Sequence, residues 1–559
     1  MGNLVSLFSG HDANLTFYNS DTDSYHVIEL ERLLKKRYFR LHFDNDDNAM
    51  HSILSECQSI AELHWGFDND YDTLFDLEPW GNTNHVARQV FNARDVRIGT
   101  GQVSHMAGQQ LNIGGHHYAT ATHHLCHAAC SFYLSPYKES LIISYDGGGG
   151  DGFFNVYHGI KPDGVSRVYP KARGINHLAQ IKSDFGGGYL LFGSNVREVS
   201  EKSRHHLAIP GKLMGLSAYG SPDEDIVPFF SDFLFDRDYK KLSESTGLTL
   251  KNVDDPWKDA LANWSYESTA GYDFAATSQR GFEEAFFRVF REYNKKFPDL
   301  PICMSGGASL NVLVNEKLKT VFKKQVFVPP TPSDCGLSLG HILLHKNPTE
   351  RISVTYSGLP LLDKERLQHE VSVRGAKRIS HAGIASLLKK GKIVGLVYGD
   401  SEVGPRALGN RSIVCDPTYP NMKDILNSKV KFREWYRPFA PFCKKSEASR
   451  WFNSPDFENL EFMSFAPEVI EEYRSKLPSI THIDGTARLQ TVTEESHKGF
   501  FGLLTEFGKL SDINVLLNTS FNIRGNPILS TIEDALYVLD NTELDFVVIE
   551  DYIFEKQNT

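Results

Sequence analysis

Several features are scarce or missing in these 559 residues. Seven cysteines, an odd number without framework-like spacing, exclude a disulfide scaffold and point to free thiols in a reducing compartment. The first residues, Met1-Gly2-Asn3-Leu4-Val5-Ser6, carry neither a basic region nor a long apolar run, so no secretory signal is expected. No apolar stretch reaches the ~18–20 residues that span a bilayer. Positive charge is in deficit: 59 Lys and Arg against 70 Asp and Glu, a net of -11, leave no broad footprint for a polymeric nucleic acid. No Gly-x-x-x-x-Gly-Lys-Ser/Thr occurs, so any bound ATP rests on something other than that loop. A cytoplasmic protein of about two to four domains is the expectation, with no membrane contact.

Two pattern matches carry no weight. Met1-Gly2 with Ser6 fits a myristoylation pattern, but Leu4, Val5, Leu7 and Phe8 read as a first buried strand. The sequons at Asn14, Asn263, Asn410 and Asn518 are unusable without secretion.

The positive charge that exists is placed. Residues 401–440 hold seven Lys or Arg against four Asp or Glu, concentrated in Gly404-Pro405-Arg406-Ala407-Leu408-Gly409-Asn410-Arg411-Ser412 and in Lys431-Phe432-Arg433-Glu434-Trp435-Tyr436-Arg437-Pro438. Guanidinium forks on a backbone stiffened by proline suit a small phosphorylated anion, while a solvated basic turn is the plainer alternative. Three apolar strands each run into a Gly-rich polar turn: Leu4 to Asn14, Leu141 to Gly152, and Ile302 to Asn311. Their repetition suggests a nucleotide cleft between related halves, although any one alone fits a tight structural turn.

His123 and His127 stand at i and i+4, which on a helix lets two imidazoles share one cation, with Asp146 and Asp334 as oxygen donors. This set suits Fe(II) or another divalent metal. Cys126 and Cys130 repeat the offset, so a His/Cys zinc site is the alternative. The polar stretch 345–358 marks a domain boundary, and residues 41–80, with ten acidic residues and no basic ones, read as a solvated insertion in the first domain. Strands are expected at Ile393 to Tyr398, Val515 to Leu517 and Phe546 to Ile549.

Taken in order, Gly10-His11-Asp12-Ala13, Glu31-Arg32 with Lys35-Lys36, His123-His124-x-x-His127-Ala128, Asp146 to Gly152, Gly211-Lys212-Leu213-Met214-Gly215 to Gly220, Ser305-Gly306-Gly307, Asp334 and the later Arg motifs resemble the NodU/CmcH O-carbamoyltransferases over nearly the whole chain. The resemblance implies an α/β protein: residues 1–350 an actin-like, ribonuclease-H-like duplicated domain, residues 351–559 a YrdC-like domain. It implies ATP, with Mg, and carbamoyl phosphate as substrates. Carbamoyl-adenylate would form in the second domain, and its carbamoyl group would pass in the first to a hydroxyl of a small-molecule acceptor. Arg406, Arg437, Arg488 and Asn518 would surround carbamoyl phosphate. Lys36, Asp146, Gly147, Gly148, Lys212, Gly306 and Gly307 would serve the nucleotide, and His123, His127, Asp146 and Asp334 the metal. His11, with Asp12, would be the catalytic pair and His11 the general base; a hydrogen-bonded turn histidine is the alternative.

Residues 40–115 depart from the family pattern and would help shape the acceptor site, and within 80–120 Trp80, His85, Arg88, Arg94, Arg97, His116, His117 and Tyr118 suit a ring bearing a phosphate. The expected acceptor is therefore a hydroxymethyl or sugar hydroxyl of a phosphorylated, nucleotide-like compound, with a neutral oligosaccharide or antibiotic hydroxyl as runner-up. An actin-like ATP-binding module without transfer is the reading from another class, and a tRNA-modifying enzyme ranks below it. A homodimer is the candidate assembly.

Overall fold

The strand Asn3–Phe8 (β1) is buried at all six positions, as a central strand covered on both faces must be. The computed structural model that shows it describes residues 2–41, 47–67, 71–76, 110–113, 116–149, 152–169, 185–200, 206–236 and 268–557. Asn14–Asn19 (β2) and Ser24–Glu29 (β3) continue from β1 as an antiparallel meander. Tyr71–Asp76 (β4) lies parallel to β1 on its other edge, and Gln110–Ile113 (β5) and His116–Ala121 (β6) complete the order β3-β2-β1-β4-β6-β5.

The second sheet repeats this rule. Glu139–Tyr145 (β7), Phe154–Ile160 (β8) and Gly164–Tyr169 (β9) form the meander, and Ile302–Ser305 (β10) and Val326–Phe327 (β11) add in parallel, giving β11-β10-β7-β8-β9. The two sheets share a three-strand meander followed by two parallel strands, the first with β5 added antiparallel at its edge, and this repetition makes the half a duplicated α/β unit of the actin-like, ribonuclease-H-like kind.

The acidic stretch 41–80 is more than the solvated insertion expected. It supplies β4 to the first sheet and a helix, Asp47–Trp65, whose Cys57, Ile60 and Ala61 are buried against that sheet's core. Acidic residues spaced between apolar ones let a segment be charged overall and still bury one face.

On the faces that meet, each sheet carries a helix, and the two helices cross. His123–Leu134 packs on β7 and β10, and Leu337–Lys346 packs on β1 and β2. At the crossing a Cβ on Gly340 would stand 2.1 Å from the carbonyl oxygen of Cys126, so only glycine permits the approach. Helix Leu337–Lys346 stops at Asn347, which is left-handed at φ 47° and accepts from the Tyr133 hydroxyl at 2.6 Å.

The third sheet has eight strands, all drawn from residues 377–555. Val394–Val397 and Arg411–Cys415 are antiparallel neighbours at its centre, so the Arg406 motif is the loop between them. Segment 345–358 is stitched to both halves. Ile352 N donates to Tyr133 O, Val27 N to Ser357 O, and Val403 N to Thr355 O. Among the described residues no helix is long and apolar enough to cross a membrane.

Replacing Gly340 with alanine should force the crossed helices apart and destabilise the protein by about 1–3 kcal/mol, read from chemical unfolding.

Candidate functional site

The i, i+4 spacing delivers His123 and His127 from the first turns of one helix, and both imidazoles are buried. Asp146 follows the last residue of β7, and Asp334 opens the short 3-10 turn before helix Leu337–Lys346. One ligand atom from each of the four lies within 4.8 Å of the others. His127 Nε2 is 3.3 Å from both Asp146 Oδ2 and Asp334 Oδ1, and His123 Nε2 is 3.6 Å from Asp334 Oδ1. Neither ring nitrogen of His127 has hydrogen-bond geometry, nor has Asp334 Oδ1, although all three atoms are buried. Two imidazoles and two carboxylates converging in this way fit one divalent cation. The His/Cys alternative fails: Cys130 Sγ lies 3.1 Å from Thr331 Oγ1, burial pushes its thiol up to about 12, and Cys126 sits at the helix crossing.

The glycine turns orient this centre. Asp146 accepts from its neighbour Gly147 N at 2.5 Å and from Gly307 N at 2.6 Å. Burial would raise the Asp146 carboxyl, but His127, then His123 and the Gly307 amide, hold it far below the usual range. Gly306, at φ 85°, lets the turn press on Tyr145, whose carbonyl oxygen a Cβ would meet at 2.1 Å. The amides of Gly147 and Gly307, expected at nucleotide phosphate, are thus directed at a candidate metal ligand. Gly148, at φ 151°, packs near Phe153.

The equivalent turn of the first sheet brings His11 and Asp12. His11 Nε2 is 3.2 Å from Asp334 Oδ2, and Nδ1 is 3.4 Å from Asp12 Oδ2. Burial pulls the His11 pKa down, but Asp334, Asp12 and Asp146 outweigh it and raise it to about 10. These carboxylates favour the protonated imidazole, so they oppose the expected role of general base unless their negative field is offset.

A second centre gathers guanidinium groups. Burial and then Arg437 push Arg406 down to about 10, and Arg488 is depressed by burial, Arg406 and Arg437. The Nε atoms of Arg406 and Arg488 are buried without hydrogen bonds. Their basic neighbours are committed: Lys431 Nζ donates to Ser520 O and Asn522 O, and Arg433 Nε to Asn427 Oδ1 at 2.7 Å. Repelling buried cations of this kind have the chemistry to receive an oxyanion. Asn518, expected at carbamoyl phosphate, uses its amide NH2 on Ala407 O and Gln490 Oε1, both at 2.9 Å, and so braces the residue next to Arg406. Its Oδ1 is buried and unpaired.

Lys36 and Arg37 are both exposed, and of the two it is Arg37 whose charge acts on Arg406 and Arg437. Lys212 instead pairs with Glu434 across the two halves at 2.9 Å. Arg37 and Glu434 carried no expected role of their own; a lone acid inside a basic run was the available signal. Trp80, His85, Arg88, Arg94 and Arg97 lie outside the described residues, and for His116, His117 and Tyr118 only the strand is described.

The two centres share a wall. Arg32, 1% exposed at its side chain, pairs with Glu29 at 2.8 Å and donates to the carbonyls of Glu402 and Gly404. Gly404, at φ 100°, lies against Pro330, whose carbonyl oxygen a Cβ would meet at 2.0 Å. The loop of Arg406 therefore rests on the segment that leads to Asp334.

Residues 104–343 match the family described as Carbamoyltransferase N-terminus, and residues 385–556 match Carbamoyltransferase C-terminus. The chain is 31% identical over 456 residues to nodulation protein NolNO of Sinorhizobium fredii (78% of this chain, 64% of that protein). It is likewise 31% identical to nodulation protein NolO of Bradyrhizobium diazoefficiens, covering 78% of this chain and 79% of that protein. Among solved structures, full-length HypF in its phosphate- and nucleotide-bound form aligns with 62% of this chain and 46% of its own, at 12% identity and a TM-score of 0.32.

Arg32→Met would leave Glu29 buried without its partner. A loss of about 3–5 kcal/mol is expected in denaturant unfolding, the range for breaking a buried pair.

Proposed function

This chain belongs to the carbamoyltransferase family, and on that premise we propose that it is an enzyme that makes carbamoyl-adenylate from carbamoyl phosphate and ATP and passes the carbamoyl group to an acceptor hydroxyl. The observation that carries the reading is the cluster of Arg406, Arg437 and Arg488, whose mutual repulsion asks for an anion, set one loop away from Asp334. An actin-like module without transfer has no use for that second centre.

Carbamate is an anion that resists attack by an alcohol, so activation comes first. Water adds to the carbonyl carbon of carbamoyl phosphate, the bond to phosphate breaks, and phosphate leaves with carbamate remaining. A carbamate oxygen then attacks the α-phosphorus of ATP and pyrophosphate departs. Arg406, Arg437 and Arg488 neutralise phosphate charge in both steps, which is electrostatic catalysis by preorganised donors. In the last step the acceptor oxygen bonds to the carbamoyl carbon and AMP leaves.

A divalent cation held by His123, His127, Asp146 and Asp334 would supply charge stabilisation at the carbamoyl oxygen and offset the carboxylates around His11. His11, oriented by Asp12, is the residue placed to take the hydroxyl proton. The acceptor reading rests on residues 80–118, whose mixture of Arg, His and aromatic side chains favours a hydroxymethyl or sugar hydroxyl on a phosphorylated, nucleotide-like compound.

His123→Ala and Asp334→Ala should abolish transfer and leave carbamoyl-phosphate-dependent AMP formation largely intact, measured by nucleotide chromatography beside the mass gain of the acceptor. Loss of both activities in folded variants would refute the division of labour. Arg406→Lys and Arg437→Lys keep charge but lose the fork, so each should weaken carbamoyl phosphate use by about 1.5–3 kcal/mol in steady-state kinetics.

A further inference from the structure

Lys212 belongs to the Gly211 to Gly220 motif, which lies in the first half yet is seated on the Arg-rich segment of the second. Lys212 rides on helix Ile209–Ser217, whose Leu213 and Leu216 are fully buried in the core. One turn on, Gly215 lies 3.7 Å from Pro438 Cδ if given a Cβ, and Tyr219 stacks edge-on with Trp435 at 5.0 Å. The helix thus docks along residues 434–438.

At the centre of this contact is Glu434, whose side chain is 2% exposed. Its Oε1 is 2.9 Å from Lys212 Nζ and 3.7 Å from Arg524 Nη2, and its Oε2 is 3.7 Å from Arg437 Nη1. The three partners are therefore unequal: Lys212 is at hydrogen-bond distance, whereas Arg524 and Arg437 both stand farther off and are held by charge. A carboxylate facing an arginine without competition closes on it, often with two hydrogen bonds, and so occupies the fork that would otherwise meet phosphate.

We infer that Lys212 is a positioning residue that draws Glu434 towards itself and thereby keeps the guanidinium of Arg437 available to an incoming phosphate. This inference deepens the reading of the arginine cluster as the carbamoyl phosphate site and rests on it. It gives Lys212 a part in anion binding without contact to the anion, in place of the direct contact with nucleotide that the motif suggested.

The test uses the full chain and inorganic phosphate as probe, with affinity measured by titration calorimetry. Lys212→Met should weaken phosphate binding about tenfold, equivalent to ~1.4 kcal/mol, and Lys212→Gln should do the same. Lys212→Arg should keep the wild-type affinity. Adding Glu434→Gln to Lys212→Met removes the competing carboxylate and should restore affinity to within about threefold of wild type, a non-additive result expected of coupled residues. Unchanged affinity in Lys212→Met, or a loss that Glu434→Gln fails to reverse, would overturn the inference. So would a Lys212→Met defect confined to the KM for ATP. Rescue of phosphate binding in a protein that forms no AMP from carbamoyl phosphate would uphold the pair and refute the proposed substrate, so the two can fail separately.

Discussion

Arg32 and Glu29 form a buried ion pair at the end of β3, and the relation between the two centres depends on it. Burial pushes the Glu29 carboxyl upward, and Arg32 opposes that rise. A pair in so dry a place is poor evidence for stability by itself, because desolvation consumes most of the attraction. Its value lies in what the remaining donors and acceptors do. Arg32 holds the carbonyls of Glu402 and Gly404, and Glu29 accepts from Gly404 N at 3.2 Å, so the loop carrying Arg406 has its root in the first half of the chain. Glu402 completes the loop from within, its carboxylate accepting from Leu408 N at 2.5 Å and Gly409 N at 3.3 Å.

The duplicated topology explains the placement of the metal-type centre. Equivalent hairpin turns, one bearing His11 and Asp12 and the other starting at Asp146, approach the helices that cover the two sheets. The approach is close: Asn14 Nδ2 donates to both Asp12 O and Asp334 O, joining the first turn to the start of helix Leu337–Lys346. Much of the ligand geometry is therefore set by folding. Fixing it beforehand spares the bound state the ordering of flexible side chains.

Much of this was legible in the residues. The His pair, Asp146 at a strand end and Asp334 after a proline-rich run pointed to one centre, and the expected strands near Ile393, Val515 and Phe546 appear as Val394–Val397, Leu516–Ser520 and Phe546–Ile549. What escaped depends on contacts between residues far apart in the chain. Gly147 and Gly307 looked like phosphate turns because glycine bares an amide, and composition does not say which acceptor that amide will find. Acidic charge hid β4, since a count over 41–80 ignores which positions are apolar. Lys212 and Glu434 are over two hundred positions apart, and nothing local announces that they meet.

The contact of Gly404 with Pro330 bears on how such a chain can change over time. A surface that leaves no room for a single methyl group is a poor place for exchange of parts. Two carbamoyltransferase halves taken from different ancestors would meet at this seam with backbones shaped for other partners, and a shift of an ångström there would move both Arg406 and Asp334. The two halves are thus matched as a pair across this contact, and change is better accommodated away from the seam, where it leaves Arg406 and Asp334 in place.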